Sequence, residues 1–567
     1  MVVLTDSTFL EWAPKLRQSL LQATFMSIDF EFLGLDTSAI SLHDTTEHRY
    51  QLLRENVMKY RPCQLGISFF KQNSTNGGFR SDCYSIPLFQ RFGDNSTNIS
   101  FQSIRFLRSH NFDLNQVFTD GVEYCTRHEF RKFEKAMNRG TALSYLTREL
   151  ILDIELLKVM LHEKVHQLEA QRIVMSTEEP SQKQTLKLRS DEAINLKLSG
   201  SINKCSLEMC LIVYELAKTY PQFLFQEDEK FTNLTVKNVP EWTDGKENLE
   251  RLKMRCMEAF EGIAAIMESA MWMRKVVVGH NSLLDCMYLY HYFFEHLPLK
   301  YEVFKQKFHR LFPKIIDSKV LAQSLRVELG GIGDSLEKVG DFFGTEKSDA
   351  LVPPPLRGFI GPWMNPMDDD SENTYHNAAF DAYVTGEVFL KMAHIYVNKK
   401  NKFKNTTIMF KRLLQFLDAS IINRIPFQLL DIGFCYLSGP DSEGSRPDVI
   451  SIVRRDRQPI DKLMYQMQKQ MLESLMATYQ FDMELSKDGM AILLATNTPG
   501  SYAFLCEKYS NNNYLSPLDE LESGIKWTFE QRQTAWRSHK DSLGIIDVVE
   551  RQWARRQVSR MERVLTE

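Results

Sequence analysis

A chain of 567 residues with 43% hydrophobic and 25% charged residues has an ordinary folded composition but is too long for one compact core; roughly 100 to 200 residues per domain predicts about three domains. The net charge of -4 and pI near 6.4 exclude a protein that coats nucleic acid generally, since binding by counterion release needs many clustered cations. Nine cysteines without CxxC spacing exclude a zinc framework, and no stretch reaches the about 18 to 20 apolar residues of a membrane span. Met1 to Thr24 does not read as a signal peptide, so reduced, buried thiols and a reducing compartment, cytoplasmic or also nuclear, are expected.

An amphipathic start around Phe9 to Leu21 leads into Phe25-Met-Ser-Ile-Asp-Phe-Glu-Phe-Leu33, which alternates apolar and polar residues as a strand does. Cys63 to Phe70 and Asp82 to Phe89 are two more apolar runs on either side of the turn-rich Asn73 to Gly78, which predicts an antiparallel meander. Helical patterns follow from Phe101 to Leu157. The stretch from Gln167 to Gly245 opens polar, with a weaker apolar pattern, as an inserted α+β module would. Lys275-Val-Val-Val-Gly-His280 leads into a helix at about Leu283 to Phe294, and Lys314-Ile-Ile-Asp-Ser318 leads into another, so these strands should be parallel. Three antiparallel strands followed by strand-helix-strand-helix is the order of an α/β, RNase H-like mixed sheet of five to six strands flanked by helices.

Ala350 to Asn373, with Pro353-Pro354-Pro355 and Asp368-Asp369-Asp370, reads as a structureless loop. Beyond Gly439, Val449 to Val453, a helix from Ile460 to Met476, strands around Phe481 and Ala491 to Ala495, and a helix at Ser501 to Tyr509 give a β-α-β-β-α order that fits a C-terminal RRM-like α/β domain. The expected organisation is a core over 1–166 and 246–438, an insert over 167–245, the RRM-like domain over 439–515 and a charged helical tail over 516–567.

Asp29 and Glu31, two apart on a strand, project from one face of the sheet. Two carboxylates side by side on an apolar strand are costly unless a cation lies between them. Asp285 stands in the first turn of the helix after Gly279-His280-Asn281-Ser282, at a strand end where ligands gather in such sheets, with Ser282 as the candidate N-cap. His376 and Asp381 are five apart, roughly 140° around one continuous helix, so they converge only if His376 sits in the preceding loop. Four carboxylates suit Mg2+, which takes oxygen ligands and keeps several waters, and a two-metal site stabilises both the attacking and the leaving oxygen. A histidine beside the water, with an ordinary pKa of about 6.5, then serves as general base. Each piece has a bland alternative: solvated strand acids, helix-start aspartates favoured by the dipole, and a loop histidine. Their occurrence together, in order and in matching contexts, favours the catalytic reading.

Phe25-Met-Ser-Ile-Asp29-Phe-Glu31-Phe-Leu-Gly34, Val278-Gly-His-Asn-Ser-Leu-Leu-Asp285 and His376-Asn-Ala-Ala-Phe-Asp381-Ala-Tyr-Val-Thr-Gly386 resemble the three motifs of the DEDDh exonucleases, and specifically the poly(A)-specific ribonuclease (PARN) branch with its PARN-like small-RNA (piRNA) trimmers. With all five positions filled, the resemblance implies an active 3′-to-5′ exoribonuclease using two Mg2+ ions, with Mn2+ as substitute. Asp29, Glu31, Asp285 and Asp381 would hold metal and His376 would act as base. It also implies single-stranded RNA 3′ ends as substrate, a homodimer through the exonuclease domain, and a small-RNA-loaded Argonaute or Piwi complex as partner; no membrane span is expected. The Arg-xxx-His signature of the family's inserted domain is missing between Gln167 and Gly245, and no Trp stands between Val449 and Tyr509 to stack an mRNA cap by cation-π attraction. These departures tilt the expectation toward small-RNA trimming, with deadenylation as the alternative and a catalytically silent RNA-binding scaffold as a remote one.

Other signals are weaker. Gly330-Gly331-Ile-Gly333 lacks the strand and Lys-Ser/Thr of a phosphate loop and reads as a turn. Asp317 sits at a strand end but is not needed for the metal set. Lys399 to Lys404, Lys411-Arg412 and Arg454-Arg455-Asp-Arg457 read as solvated faces before RNA tracks.

Overall fold

The computed structural model describes the chain apart from residues 91, 93–96, 176–192, 198–204, 228–232, 239–244, 358–374, 428, 430–431, 442–449, 455–457, 476–480, 487, 497–500, 506–526 and 532–567. One compact unit, Met1–Gly34 with Val57–Leu297 and Leu311–Ile422, is built on a six-stranded mixed sheet. Its first four strands are β1 (Val2–Val3), β2 (Phe25–Phe32), β3 (Pro62–Gln72) and β4 (Phe79–Pro87). Across the sheet the order is β1, β4, β3, β2, then Val277–Gly279 and Ile315–Asp317. The β4, β3 and β2 pairings are antiparallel and the remaining three are parallel, as the sequence order implies.

The strand chemistry explains this arrangement. In β2, Phe25, Met26, Ile28 and Phe30 are buried while Asp29 and Glu31 are half-buried. In β3, residues 62–70 are buried without alternation, as expected of a central strand covered on both faces. The helix Ala378–Lys400 lies over β2 and β3. It approaches closely because Ala378, Ala382 and Gly386, four apart, put small side chains on one face. A Cβ at Gly386 would stand 2.2 Å from the Phe70 ring, and one at Gly66 would stand 1.9 Å from the Ala378 carbonyl.

The insert holds a three-stranded antiparallel sheet, ordered Ile194–Lys197, Asn233–Asn238, Phe223–Glu227, with the helix Ser206–Thr219. Strands of four, five and six residues give this sheet only a small apolar face. Its buried cluster accordingly draws on Phe133 and Met137, on Ile154 and Leu161, and on Cys256 and Phe260 from helices before and after the insert.

A second unit gathers Leu35–Asn56, Pro298–Arg310 and the chain from Asn423 on. Its four-stranded antiparallel sheet runs Phe481–Leu485, Ala491–Thr496, Ile450–Arg454, Trp527–Gln531. Ile450, Ile452, Ile492 and Leu494 face a core shared with Leu472 and Leu505. On the other face, Leu493 and Ala495 are covered by Leu42, whose N–H donates to Asp482 Oδ2 at 2.5 Å. The strand Trp527–Gln531 falls inside the tail expected to be helical; aromatic and β-branched residues in Trp527-Thr528-Phe529 favour a strand. The hairpin of Arg424–Pro426 with Phe434–Tyr436 was not expected, being only three residues a side.

The proline-rich stretch is not wholly structureless, since Pro354–Leu356 forms a 3-10 turn with proline at its start, where the missing N–H costs nothing. Its remainder over 358–374, residues 455–457 of one basic cluster and the tail over 532–567 lie outside the described residues. The eight cysteines among the described residues are all buried and none is in a disulfide.

Candidate active site

Asp29 pairs in register with Gly66, and Glu31 with Gln64, so both acids of β2 stand opposite the part of β3 that carries the helix Ala378–Lys400. A register shift between Glu31 and Phe32 bends the strand directly after the second acid, as bulges beside active sites do. Gln64 links three elements: its Oε1 accepts from the Ala378 N–H at 3.0 Å, and its Nε2 donates to Ser85 Oγ at 3.0 Å. The helix N-terminus is thereby fixed against β3, and Asn377 caps it by accepting from Ala379 N–H at 3.1 Å.

His376 lies just outside this helix, as the five-residue spacing requires, in a left-handed conformation with φ of 67°. Its N–H donates to Asp381 Oδ2 at 3.0 Å, which turns the loop back over the first helical turn. Ligand atoms of Glu31, His376 and Asp381 all lie within 4.8 Å of one another. Asp285 reaches the cluster from the helix Leu283–Phe293 and accepts the Phe30 N–H through Oδ1 at 3.1 Å. That N–H is available because β2 pairs with Val277–Gly279 only at Met26 and Ser27.

Ser282 occupies the N-cap position, but its hydroxyl does not cap the helix; it donates instead to Asp317 Oδ2 at 2.9 Å. Asp317 also accepts the N–H groups of Asn281, Ser282 and Lys319 at 3.0, 2.8 and 3.0 Å. Fully buried and fully engaged, it shapes the turn that presents Asp285. His280 has a similar structural role, with Nδ1 at 2.8 Å from Ser318 Oγ and its pKa pushed down to about 3 by burial.

The electrostatics are those of a site built for cations. Burial, then Asp285, Asp381 and Glu31, raise the Asp29 pKa well above the carboxylate range. Glu31 is raised by burial and then by Asp381 and Asp285. Burial pushes Asp285 and Asp381 each up to about 7, against the hydrogen bonds they accept. Asp381 Oδ1 is buried and has no hydrogen-bond partner among the described residues. Four mutually repelling carboxylates and an orphaned buried oxygen fit divalent, oxygen-seeking cations. The His376 pKa is lowered by burial and then by His110, so the ring is neutral and able to accept a proton near neutral pH.

The five residues selected from the sequence thus come to one place from one strand, one loop and two helices. Gln64, Asp317, Phe106 and His110 were not in that set. Gln64 had a usable signal, a lone amide in the apolar run Cys63 to Phe70. Phe106 and His110 had none, because their contact with His376 is made only by folding.

Residues 4–389 match the model for CAF1 family ribonucleases. The chain is 58% identical over 567 residues to the 3′-5′ exoribonuclease parn-1 of Caenorhabditis elegans, covering 100% of both. It is 26% identical over 462 residues to the poly(A)-specific ribonuclease PARN of Homo sapiens, covering 77% of this chain and 68% of that one. With the pre-piRNA 3′-exonuclease trimmer of Bombyx mori it shares 23% identity over 469 residues, covering 79% and 81%. The family match over most of the chain and the full-length similarity establish that the protein belongs to the CAF1 family of ribonucleases and is a 3′-to-5′ exoribonuclease.

Proposed function

We propose that Asp29, Glu31, Asp285 and Asp381 hold two divalent cations, magnesium with manganese as a substitute, and that His376 takes the proton of the attacking water. The observation that carries this reading is the carboxylate cluster itself, with Asp381 Oδ1 buried and unpartnered among the described residues. Bound there, the cations would supply Lewis-acid stabilisation of charge on the phosphate and on the attacking and leaving oxygens. The chain's own part is orientation: backbone N–H groups of Phe30 and His376 fix the carboxylates of Asp285 and Asp381. The neutral His376 imidazole beside Glu31 and Asp381 is placed to receive the proton.

The RNA we propose is the 3′ end of a small-RNA precursor, a piRNA precursor included, drawn from a loaded Argonaute or Piwi complex in the cytoplasm or nucleus by a homodimer of the nuclease unit. A poly(A) tail is the second reading. The names of the silkworm and human relatives point one to each.

We read the second unit's sheet as RRM-like, supported by its strand order of second, third, first, fourth and by its antiparallel pairing. In the register of its first two strands, Asp482 and Glu484 stand beside Ala495 and Leu493, and Leu42 covers the latter pair. Among the described residues, that part of the face offers neither an aromatic ring for base stacking nor a cation for phosphate. This favours trimming without cap recognition there. Competition between matched RNAs ending in oligo(A) and in mixed sequence decides the substrate. Equal trimming rates are expected; a strong preference for oligo(A) would replace this reading with deadenylation.

A further inference from the structure

The proposed base has an unusual support. Among the described residues no hydrogen bond reaches the His376 imidazole; only its backbone N–H is engaged, by Asp381. A loop histidine held only by its backbone can turn about its side-chain bonds, so something else must keep its ring near Glu31 and Asp381.

Two rings, one from the helix Phe101–Ser109 and one from the residue that caps its C-terminus, do so. The His110 ring centroid lies 4.1 Å from that of His376 at an interplanar angle of 61°, and Phe106 lies 4.8 Å away at 77°. The two supporting rings are themselves 4.5 Å apart, so the three form a closed set. Edge-to-face contacts of this kind have a preferred geometry, which makes them orienting as well as attractive.

His110 is in turn fixed. It is the C-cap residue of the helix, and its Nδ1 donates to the Phe106 carbonyl at 2.9 Å, an oxygen that only accepts. The helix is tied to the catalytic strand: the Ser100 N–H donates to the Leu33 carbonyl at 2.9 Å, and Leu107 is buried in a cluster with Leu33 and Cys63. Leu33 is two residues beyond Glu31. The chain of contacts therefore begins and ends at the active site, running from Glu31 along β2 to the helix, to His110 and back to His376.

We propose that His110 is a positioning residue for the general base, its ring holding the His376 imidazole in register with Glu31 and Asp381. This inference rests on the reading of His376 as the base. It assigns His110 no contact with RNA and no proton of its own.

The test is the steady-state kinetics of RNA trimming by the full chain in magnesium. An aromatic contact of this type corresponds to about a three- to tenfold change in rate. His110→Ala should lower kcat by that factor with KM unchanged, and His110→Phe, which keeps a ring but no nitrogen, should restore it. In a His376→Ala background, His110→Ala should cost nothing further, because the ring it positions is gone. The thermal midpoint of each variant separates loss of positioning from loss of fold; His110 is half-buried at a helix end, and the restoring phenylalanine variant controls for any unfolding.

If His110→Phe is as slow as His110→Ala, a nitrogen of His110 is needed and positioning by packing is overturned. A rise in KM alone, or additive losses in the double variant, also overturns it. If His376→Ala itself trims at the wild-type rate, the reading of the base has failed; if His376→Ala is inactive while His110→Ala is normal, only the present inference has.

Discussion

Asp29-Phe30-Glu31 on β2 and Asp482-Met483-Glu484 on the strand Phe481–Leu485 are the same pattern, two acids two apart with an apolar residue between. In both, pleating puts the two carboxylates on one face. On β2 that face meets Asp285 and Asp381, which add to burial in raising the pKa values of Asp29 and Glu31. On the other strand the face meets Leu42, whose backbone N–H satisfies Asp482, and the neighbours are Leu493 and Ala495. A third copy, Asp153-Ile154-Glu155, lies on a helix, where a spacing of two sends the side chains roughly 200° apart, and Glu155 pairs with Lys158. The motif specifies direction only on a strand, and chemistry only where other elements bring more acids to the same face.

The largest expected effect separates the two strand copies outright. Asp29→Ala or Asp285→Asn should reduce trimming of labelled RNA in magnesium by about a thousandfold, comparable to removing a principal source of transition-state charge stabilisation. Asp482→Ala should trim at close to the wild-type rate. Retained activity in either active-site variant would remove the metal-ligand assignment.

That difference bears on what the sequence could disclose. The alternation over Phe25 to Leu33, the strand-to-helix step before Asp285 and the need to place His376 in a loop all depend on neighbours within a few residues, and local sequence carries them. The mixed sheet followed from the order of those elements. Contacts across long sequence distances left no such trace. The hydroxyl of Ser282 looks like a cap and instead serves Asp317, 35 positions on. Gly66 reads as an ordinary strand residue until the Ala378 carbonyl is found against it. The strand Trp527–Gln531 is hidden among charged neighbours, because its few aromatic and β-branched residues form a strand only against the distant partner Ile450–Arg454.

A smaller effect concerns pH and metal. In the metal-free protein, burial lifts Asp285 and Asp381 to about 7, above the ordinary aspartate value of about 3.9. Raised folded pKa values mean the folded state binds protons more tightly than the unfolded chain. Their contribution therefore turns unfavourable as pH rises from about 4 to about 7 and is fully unfavourable above that. The urea midpoint in a chelator should be lower at pH 8 than at pH 5, and magnesium should raise it more at pH 8, where the ligands are ionised. A midpoint independent of both pH and magnesium would contradict the cluster's electrostatics.

The smallest effect sharpens the comparison most, because the two Asp-x-Glu strands should respond with opposite signs. At pH 8 without metal, Asp29→Asn removes one of four crowded carboxylates and should stabilise the fold while destroying activity. Asp482→Ala removes a charged acceptor from the Leu42 N–H and should destabilise the second unit by about 1.5 to 3 kcal/mol, less to the extent that water reaches the N–H, while sparing activity. Hydrogen exchange at Leu42 and the urea midpoint measure the two changes on the same samples. If Asp29→Asn were the destabilising substitution, its carboxylate would be a structural partner like Asp482, and the distinction drawn between the two strands would be lost.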